Sequence, residues 1–472
     1  MAELRGAREA IAAVLGSGAG TFTELPAPEG TSAPDGPLGW EGYDAALARA
    51  ADRTGEGESV VCGTGRIGAT EAVVVSFEFG FLGGSLGERT GDRLAAAYGH
   101  ARDRGLPVVS LIATGGSRMQ EGMRALLQLQ RVAGESALTR AAGLAQLAVV
   151  RDPTTGGGWA TLGAGADVVL ALPGAQIGFA GSRVRPADAD PSAYTAEAQL
   201  AAGQIDAVVA EEALAGTVAR WLALLTGGRA EPPDGWAGGA PPPPAALGRS
   251  GPVATGWEAV VAARSPERPR AAAYLDAYFD HREEIRGDRC GGTDPGMLCG
   301  FGRREGRTVA YAAQCGTATL PAGYRTAARL IRLAERLGIP VLTLVDTPGA
   351  ANDARAERTG AGAAIADLFA TMAAARVPLT TLLIGEGGSG GALALAAADN
   401  TWATPDSYFS VIAPELATAI LKRDPGRTRA TAGQLRLRPQ DLVALGVVRG
   451  IVPGRDGRDG PDGWNGRVPG DG

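Results

Sequence analysis

Residues that commonly carry acid–base or covalent catalysis are scarce in this sequence. Its 472 residues include two histidines, His100 and His281, and one lysine, Lys422. Two histidines are too few for a histidine-rich metal site. Leu421 precedes Lys422, so the Gly-Lys pair of a nucleotide-binding P-loop is absent. The chain therefore lacks the side chains on which several common enzyme mechanisms depend.

Cysteines and long apolar runs are also few. The four cysteines include no CxxC pair, which argues against a zinc ribbon or a thioredoxin motif. Neither an N-terminal apolar signal segment nor an apolar run of about 18 residues is present. The formal net charge of −6 gives no indication of a surface that binds nucleic acid or membrane. We therefore predict a cytoplasmic protein with reduced thiols and no metal site.

Glycine, by contrast, is abundant, with 72 residues, and proline accounts for 30. Both are concentrated in residues 227–256, where no apolar period survives, and we predict a Pro/Gly-rich linker there. Residues 454–472 are rich in glycine and aspartate and are predicted to form a disordered tail. Two bodies remain, at 1–226 and 257–453.

The two bodies resemble each other. Residues 105–116 align with residues 338–349 at a constant offset of 233. A second apolar strand follows in each body, at 147–151 and 379–384, and leads into a Gly-rich turn and a helix of small residues. A repeat of this length indicates a duplicated domain. The alternation of apolar strands with helical segments predicts an α/β fold with largely buried sheets.

Paired glycines follow strands in both repeats, at Gly115–Gly116 and Gly390–Gly391. Glycines at the start of a helix allow a ligand to approach backbone N–H groups, and two such donors can form an oxyanion hole. The alternative is that these glycines only permit tight strand-to-helix turns. Ligand sites of open α/β sheets usually lie at strand ends, so the recurrence in both repeats favours a functional role about as strongly as a structural one.

Other candidate side chains have simpler explanations. Residues 387–391 match the G-x-S-x-G nucleophile motif, but both histidines lie upstream, which contradicts the order of a serine-hydrolase triad. Asp346 is either a metal ligand or a turn-initiating residue, and Glu386 is either a general base or a solvated carboxylate. Arg118 and the basic run 422–429 either meet the phosphates of a nucleotide-containing ligand or are charged surface. Chemistry here is expected to rest on backbone donors that stabilise an anion.

Longer motifs then identify a family. In the first body they are FEFGFLGGSLG (77–87), TGGSRMQE (114–121), DPTTGG (152–157), IGFAGSRV (177–184) and AGQIDAVV (202–209). In the second body they are FDHREEIRGDR (279–289), PAGYR (321–325), DTPGA (346–350), GEGGSGGA (385–392) and YFSVIAPE (408–415). The first set resembles the β subunit, and the second the α subunit, of the carboxyltransferase of bacterial acetyl-CoA carboxylase. The chain is thus similar to a β–α fusion over everything but the linker and the tail.

The resemblance implies two tandem crotonase-like domains, each a ββα spiral, with acyl-CoA bound by the first and carboxybiotin by the second. It also implies an obligate homodimer, whose active sites form between the β-like part of one protomer and the α-like part of the other. The residues that it implies for stabilising the enolate are Gly115, Gly116, Gly390 and Gly391. Those implied on the carboxybiotin side are Gly387, Gly388, Gly349 and Ala350, and those on the acyl-CoA side are Arg118, Gly156 and Gly157. The family's four-cysteine zinc ribbon is missing, so no zinc is expected.

The function implied is transfer of the carboxyl group from carboxybiotin to acetyl-CoA, which gives malonyl-CoA for fatty-acid biosynthesis. Leu421 and Arg423 flank the single lysine where biotin carriers have methionines, so a separate biotin carboxyl carrier protein and an ATP-using biotin carboxylase are implied as partners. Two alternatives stay open. One is a biotin-independent malonyl-CoA or malonyl-thioester decarboxylase, which the departure from the family's sequence at 351–360 favours. The other is a non-catalytic paralogue.

Overall fold

The computed structural model describes residues 6–16, 22–28, 33–229 and 236–454. Within these ranges the chain forms two eight-stranded sheets, one in each half, which confirms the predicted α/β duplication. The strands of the first sheet are β1 (Thr23–Glu24), β2 (Val60–Ile67), β3 (Thr70–Phe77), β4 (Val108–Thr114), β5 (Gln146–Thr155), β6 (Val168–Ala171), β7 (Ile177–Gly178) and β8 (Ala207–Val208). Those of the second are β9 (His281–Ile285), β10 (Met297–Arg304), β11 (Arg307–Gln314), β12 (Val341–Thr347), β13 (Leu379–Gly388), β14 (Thr401–Ala403), β15 (Tyr408–Ser410) and β16 (Gly450–Ile451).

Both sheets follow one plan. The first has the order β1-β2-β3-β4-β5-β6-β8, with β7 paired to β5, and the second has the order β9-β10-β11-β12-β13-β14-β16, with β15 paired to β13. Each contains an antiparallel hairpin, β2–β3 or β10–β11, and continues with parallel strands. Parallel neighbours need long crossover connections, which explains why helices alternate with strands along the sequence. The ends of the parallel strands consequently meet at one edge of each sheet.

Helices connect and flank the strands, and some of them supply these crossovers. In the first half they are α1 (Ala7–Leu15), α2 (Tyr43–Thr54), α3 (Glu88–Arg104), α4 (Gly122–Ala141), α5 (Gly156–Gly158), α6 (Ala196–Ala201) and α7 (Glu211–Thr226). In the second half they are α8 (Gly256–Arg264), α9 (Ala271–Tyr278), α10 (Pro321–Leu337), α11 (Ala354–Arg358), α12 (Ala361–Ala374), α13 (Ser389–Leu393), α14 (Pro414–Ile420), α15 (Thr428–Gln434) and α16 (Pro439–Ala444). The crossovers α3 and α10 both end at a glycine with left-handed φ, Gly105 and Gly338, which lets the chain turn into β4 or β12.

The two halves pack against each other. All residues of β4 and β12 are buried, and the largest hydrophobic core contains side chains from both sheets. Trp221 of α7 meets Phe301 of β10 edge-on, with ring centroids 6.3 Å apart. The backbones touch at Gly203 and Gly287, where a Cβ on Gly287 would overlap the Gly203 Cα. Only glycine allows this approach, so the contact is built into the sequence of both halves.

A buried carboxylate reinforces this contact. Asp206, from the first half, forms ion pairs with Arg289 and Arg329 of the second, and the Asp206–Arg329 distance is 3.1 Å. Its oxygens also accept the N–H groups of Val169 (2.8 Å) and Arg286 (2.9 Å). Burial alone would raise the pKa of Asp206, but the two guanidinium groups outweigh it, and the pKa is lowered.

The segment predicted to be a linker packs onto the second half wherever it is described. Trp236, Ala246 and Val253 are buried in hydrophobic clusters of that half. The carbonyls of Pro241 and Pro242 accept hydrogen bonds from Thr380 (2.6 Å) and Tyr278 (2.8 Å). Proline has no N–H, so satisfying its carbonyl is enough to bury this backbone. Residues 236–256 of the predicted linker are therefore packed against the second half, while 230–235 and the predicted tail beyond Gly454 lie outside the described residues.

Membrane spans and metal clusters are both absent from the described ranges. None of the helices there combines the length and the apolar character that a membrane span requires. Among the residues with described positions, no three or more His, Cys, Asp or Glu side chains form a cluster suited to a metal ion.

Candidate active site

A large cavity opens where β4 and β5 end. Its volume is about 1020 Å³. Gly115 and Gly116 directly follow β4, and Gly156 and Gly157 begin the short helix that follows β5; all four line the cavity. The apolar side chains of its wall are Phe79, Leu82, Met119, Leu126, Leu129, Phe179 and Val184. No residue from the second half lines this cavity within the part of the chain that the structure describes.

The glycine pairs of this cavity lie against each other. Gly116 and Gly156 both have left-handed φ, at 107° and 65°. A Cβ on Gly156 would lie 3.1 Å from the Gly116 Cα, which is tighter than ordinary van der Waals contact. Two turns predicted separately, one for catalysis and one for acyl-CoA binding, are thus one surface of bare backbone. A side chain on Gly116 or Gly156 would occupy space at the wall of the cavity.

Hydrogen bonding distinguishes the donors on this surface. The Gly115 N–H is donated to the Gly83 carbonyl (2.8 Å), and the Gly116 N–H to the Thr114 hydroxyl (3.1 Å). The Gly156 N–H is donated to the Phe179 carbonyl (3.1 Å). Gly157 lies in the first turn of a helix, where the helix itself supplies no carbonyl for its N–H. Gly157 is therefore better placed to donate to a ligand than Gly115 or Gly116, whose N–H groups are engaged within the protein.

Arg118 does not have the setting of a phosphate ligand. Its guanidinium is 2% exposed and forms an ion pair with Glu58, which is also buried. Further hydrogen bonds reach the hydroxyl of Tyr43 (3.2 Å) and a carboxylate oxygen of Glu121 (3.4 Å). Burial alone would lower the pKa of Arg118, but the Glu58 carboxylate outweighs it and raises the pKa. Arg118 thus lines the cavity with a guanidinium that is engaged within the protein, and its place on the acyl-CoA side stays a prediction.

Three other arginines of the cavity are more exposed than Arg118. Arg53, Arg183 and Arg185 all line it. Arg185 stacks on the Tyr194 ring, 3.5 Å from the centroid, and donates to the Ala180 carbonyl (3.1 Å). Arg183 is exposed and forms no ion pair with any described residue. None of these arginines was among the predicted site residues, although the S-R-V-R sequence at 182–185, after the I-G-F-A-G motif, was a signal for Arg183 and Arg185.

A second strand-end turn lies in the other half. There the Gly349–Ala350 turn after β12 meets Gly391, near the start of α13. A Cβ on Gly391 would overlap the Ala350 nitrogen and lie 2.7 Å from the Tyr324 hydroxyl oxygen. A Cβ on Gly388 would overlap the Pro348 carbonyl. The structure thus brings together four predicted residues: Gly349, Ala350 and Gly388, predicted for the carboxybiotin side, and Gly391, predicted for enolate stabilisation.

The remaining glycines of this turn differ in setting. Gly387 pairs with Phe409 in the β13–β15 ladder and is buried. Gly390 is exposed, and no atom beyond its chain neighbours and its own helix backbone lies within 4 Å of the position of its Cβ. The N–H groups of Gly390 and Gly391 lie in the first turn of α13, where the helix supplies no carbonyl acceptor. Gly390 and Gly391 therefore keep a donor geometry, whereas Gly387 belongs to the sheet.

Two carboxylates considered from the sequence are ion-paired in the structure. Asp346 is fully buried and accepts hydrogen bonds from Arg268 and from Arg270 (3.2 Å). Glu386 accepts hydrogen bonds from the Arg264 guanidinium at 3.2 and 3.3 Å. Neither the turn-initiating role of Asp346 nor the free solvation of Glu386 describes these contacts, because arginines from the segment before β9 reach both side chains.

The duplication also shows which residues are equivalent. Gly116 donates its N–H to Thr114, and Gly349 donates its N–H to Thr347, at 3.1 Å in both cases. Thr114 pairs with Thr154 in the first sheet, and Thr347 with Gly387 in the second, after an irregularity of the ladder in each.

With this register, the counterparts of Gly390 and Gly391 in the first half are Gly157 and Gly158, and the counterpart of Gly116 is Gly349. The sequence alignment at an offset of 233 already matches Gly116 with Gly349, and the ladder register agrees with it. Gly115–Gly116 and Gly390–Gly391, which the resemblance implies together for stabilising the enolate, follow different strands of the repeat.

Comparison with protein families and known proteins agrees with this arrangement. A family model described as "Carboxyl transferase domain" matches residues 38–209. A second, described as "Acetyl co-enzyme A carboxylase carboxyltransferase-like", matches residues 253–459. The first match contains strands β2 to β8 and the second contains β9 to β16, each with the strand-end turns of its sheet.

Several curated proteins are similar over most of the chain. The "Acetyl-coenzyme A carboxylase carboxyl transferase subunits beta/alpha" of Saccharopolyspora erythraea is 41% identical over 426 residues, which cover 87% of this chain and 74% of that protein. The protein of the same name from Clostridium tetani is 32% identical, with 89% and 75% covered. A "Probable biotin-dependent acyl-coenzyme A carboxylase beta3 subunit" of Mycobacterium bovis is 35% identical, with 88% and 83% covered.

Solved structures show the same fold. The transcarboxylase 12S structure with hydrolysed methylmalonyl-coenzyme A bound has a TM-score of 0.77 at 21% identity, and covers 95% of this chain and 87% of that one. A single-chain, multi-domain long-chain acyl-CoA carboxylase has a TM-score of 0.72 at 22% identity, with 95% and 44% covered. The predicted pair of crotonase-like domains is confirmed. The chain belongs to the acetyl-CoA carboxylase carboxyltransferase family, as a fused beta/alpha member, and is a carboxyltransferase of the biotin-dependent acyl-CoA carboxylase type.

Proposed function

We propose that this chain transfers a carboxyl group to acetyl-CoA and forms malonyl-CoA, with carboxybiotin on a separate carrier protein as the donor and a separate biotin carboxylase as the ATP-using partner. The observation that carries the proposal is the bare-backbone surface formed by Gly116 and the Gly156–Gly157 turn at the wall of the cavity. The names of the beta/alpha relatives support acetyl-CoA as the acyl substrate. Malonyl-CoA production would serve fatty-acid biosynthesis.

The first half is suited to hold an extended acyl-CoA. Its cavity of about 1020 Å³ is large enough for a sizeable ligand. Of the arginines that line it, Arg118 is buried in an ion pair with Glu58, and the other three are partly or fully exposed. Arg53, Arg183 and Arg185 would face the CoA phosphates, because guanidinium groups pair well with phosphate oxygens. The Gly157 N–H would then donate to the thioester oxygen, where negative charge develops when the α-proton is lost.

The second half fits the carboxyl donor. The Gly391 turn has no side chain on its exposed residue Gly390, and its first-turn N–H groups favour an oxygen that carries negative charge. Carboxybiotin supplies the carboxyl group when it is bound. Neither His100 nor His281 lines the cavity. The contribution of this chain is therefore charge stabilisation and positioning, with backbone donors in both halves.

Exposed apolar side chains border both turns and support a homodimer with shared sites. Near the cavity, Met119, Phe179 and Val184 are 74–78% exposed. In the second half, Val411, which follows the β15 strand paired with Gly388, is 72% exposed, and Ile420 at the end of α14 is 68% exposed. Apolar patches of this kind commonly mark protein interfaces. In the proposed dimer, the first half of one protomer faces the second half of the other, which covers both patches and completes each active site.

The reverse reaction tests the proposed function. Purified protein is incubated with malonyl-CoA, with and without the biotin derivative biocytin. Loss of malonyl-CoA that depends on biocytin, with acetyl-CoA as product, is the expected result. Equal loss without biocytin would instead show a decarboxylase, and no loss with malonyl-CoA but turnover of methylmalonyl-CoA would show a different acyl preference. No turnover of either would contradict the proposal and favour a non-catalytic paralogue.

Complementation between two variants tests the shared site. Gly157→Val and Gly391→Val are each expected to be inactive, because each blocks the backbone donors of one half. If sites form between protomers, a mixed dimer contains one site that is intact in both halves. Co-refolded or co-expressed variants should then recover about a quarter of the wild-type activity, since half of the dimers are mixed. Sites within single protomers would give no recovery.

A further inference from the structure

The carbonyl of Gly391 is held by side chains from two other elements. The Tyr324 hydroxyl, on α10, donates to it at 3.1 Å, and the Gln314 side-chain amide, at the end of β11, donates at 3.2 Å. Both side chains are fully buried. Burial raises the pKa of Tyr324 to about 12, so its hydroxyl is protonated and remains a donor at neutral pH.

The same carbonyl lacks its usual helical partner. In an α-helix it would accept the N–H of residue 395. Here the Leu395 N–H is donated to the Ala392 carbonyl (3.2 Å), and the helix ends after little more than one turn. Ala394 still donates to Gly390 (3.0 Å), whereas Leu395 and Ala396 each donate to the carbonyl three residues earlier, so the carbonyl of Gly391 is passed over where the spacing changes. Tyr324 and Gln314 thus take the place of the helix at the one carbonyl next to the predicted donors.

The two strand-end turns of the second half share this support. The Gln314 amide also donates to the Thr319 hydroxyl (3.2 Å), and that hydroxyl donates to Thr347 (3.4 Å). Thr347 in turn accepts the N–H of Gly349 (3.1 Å). A chain of buried polar side chains therefore runs from the Gly391 carbonyl to the Gly349 turn. Buried networks of this kind restrict the geometry of the groups that they join.

We propose that Tyr324 and Gln314 are positioning residues: by holding the Gly391 carbonyl, they fix the direction of the N–H groups of Gly390 and Gly391. Carbonyls of a helix point toward its C-terminal end and N–H groups toward its N-terminal end, so an anchored carbonyl sets the axis of a one-turn helix. This role rests on the proposed function, because those N–H groups are the ones assigned to the donor side. The two residues touch neither substrate and act through the turn.

Kinetics of the biocytin-dependent reaction test the role. Tyr324→Phe keeps the ring and removes only the hydroxyl, and Gln314→Met keeps the length of the side chain. We expect kcat to fall about tenfold for Tyr324→Phe, and about a hundredfold for the double variant, in which the carbonyl loses both donors. KM for malonyl-CoA should stay within about twofold, because the acyl-CoA cavity lies in the other half.

Tyr311→Phe is the matched control. Tyr311 is equally buried, lies on the same strand as Gln314, and its hydroxyl contacts the Arg282 guanidinium (3.3 Å) instead of Gly391. Its kcat should match the wild type. A folded Tyr324→Phe and a folded double variant with wild-type kcat would overturn the proposal, as would an equal loss of kcat in Tyr311→Phe. If the double variant does not fold, the comparison of the two single Tyr→Phe variants decides.

Amide hydrogen exchange separates this proposal from the proposed function. Peptides that cover residues 386–396 should exchange faster in the double variant than in the wild type, whether or not the protein turns over malonyl-CoA. An inactive wild type would contradict the proposed function, while faster exchange would still support the anchoring of the turn. Unchanged exchange at these amides would overturn the positioning role itself.

Discussion

The two halves use one backbone plan for different purposes. In the first half, the strand-end turns open onto a cavity of about 1020 Å³ with arginines at its rim. In the second half, the equivalent turns lie so close that a Cβ on Gly391 would overlap the Ala350 nitrogen. A duplicated scaffold has thus kept its turns and changed what surrounds them. One copy encloses a large cavity, and the other packs two backbone segments against each other.

The buried ion pairs near the strand-end turns also differ between the halves. Each half has a buried arginine–carboxylate pair near its strand ends, Arg118–Glu58 in the first and Arg268–Asp346 in the second. In the first half the arginine follows the strand-end turn, whereas in the second the carboxylate ends the strand. The pairs occupy different positions of the repeat. The shared feature is a rigid polar support, and it arises from different residues in each copy.

The contact between the halves is expected to give the largest effect. Asp206→Asn keeps the size of the side chain but removes the charge that pairs with Arg289 and Arg329. Two buried guanidinium groups then lose their counter-charge, and we expect a loss of about 3–5 kcal/mol in the free energy of unfolding. Urea unfolding of both proteins measures this difference. A single transition shifted to lower urea would show that the halves unfold together, and two separated transitions would show that they do not.

The same variant gives a pH test. Because the pKa of Asp206 is lowered in the folded state, its contribution to stability is present above about pH 4, the range of an ordinary carboxyl group. That contribution is lost as the pH falls through the folded-state pKa. The stability difference between wild type and Asp206→Asn should therefore be constant near neutral pH and shrink below about pH 4. A difference that stayed constant down to pH 3 would contradict the ionised state of Asp206.

The crowded turn of the second half is expected to give the next largest effect. Gly391→Val places atoms where the Ala350 nitrogen and the Tyr324 hydroxyl lie, so the turn must shift. We expect turnover of malonyl-CoA with biocytin to fall about 10²–10³-fold, as on removal of an oxyanion-hole donor. Steady-state kinetics on the folded variant measure it. Wild-type turnover would show that the close packing of this turn does not matter for the reaction.

Two open glycines serve as controls for that prediction. Gly134 in α4 and Gly362 in α12 have no atom of another segment within 4 Å of their Cβ positions. Gly134→Ala and Gly362→Ala should keep wild-type turnover and raise helix stability by about 0.5–1 kcal/mol each. A loss in either variant would show that glycine substitution in general, and not crowding at Gly391, impairs the protein.

Periodicity and repeat spacing were sufficient for the fold. The offset of 233 between the repeats aligns Thr114 with Thr347, and both residues play the same part in their turns. The packing of segment 236–256 was harder to predict, because a Pro/Gly-rich composition is typical of linkers. Its burial depends on Tyr278 and Thr380, which are distant in sequence and donate to proline carbonyls. No local pattern reports such donors.

The site shows the same limit. The glycine pairs were located from sequence, since glycine at a strand end has few roles. Which N–H groups are already engaged was not predictable, because the acceptors Gly83 and Phe179 come from other loops. For Arg118 the sequence left a phosphate contact and a charged surface open, and neither anticipates the buried ion pair with Glu58, which lies 60 residues earlier. Long-range pairing decides whether a cation is available to a ligand.

The rim of the first cavity is expected to give the smallest effect. Arg183 is exposed and has no ion-pair partner among the described residues, so Arg183→Ala should leave the fold and kcat unchanged. If its guanidinium meets the CoA phosphates, KM for malonyl-CoA should rise about three- to tenfold at low ionic strength. The rise should diminish in 0.5 M salt, because exposed charges are screened over about 10 Å or less. Arg104→Ala, at the exposed end of α3 and outside the cavity, is the matched control and should leave KM unchanged. If Arg183→Ala, like the control, leaves KM unchanged, Arg183 does not contribute to malonyl-CoA binding. Cavity size, and not positive charge, would then distinguish the first half from the second.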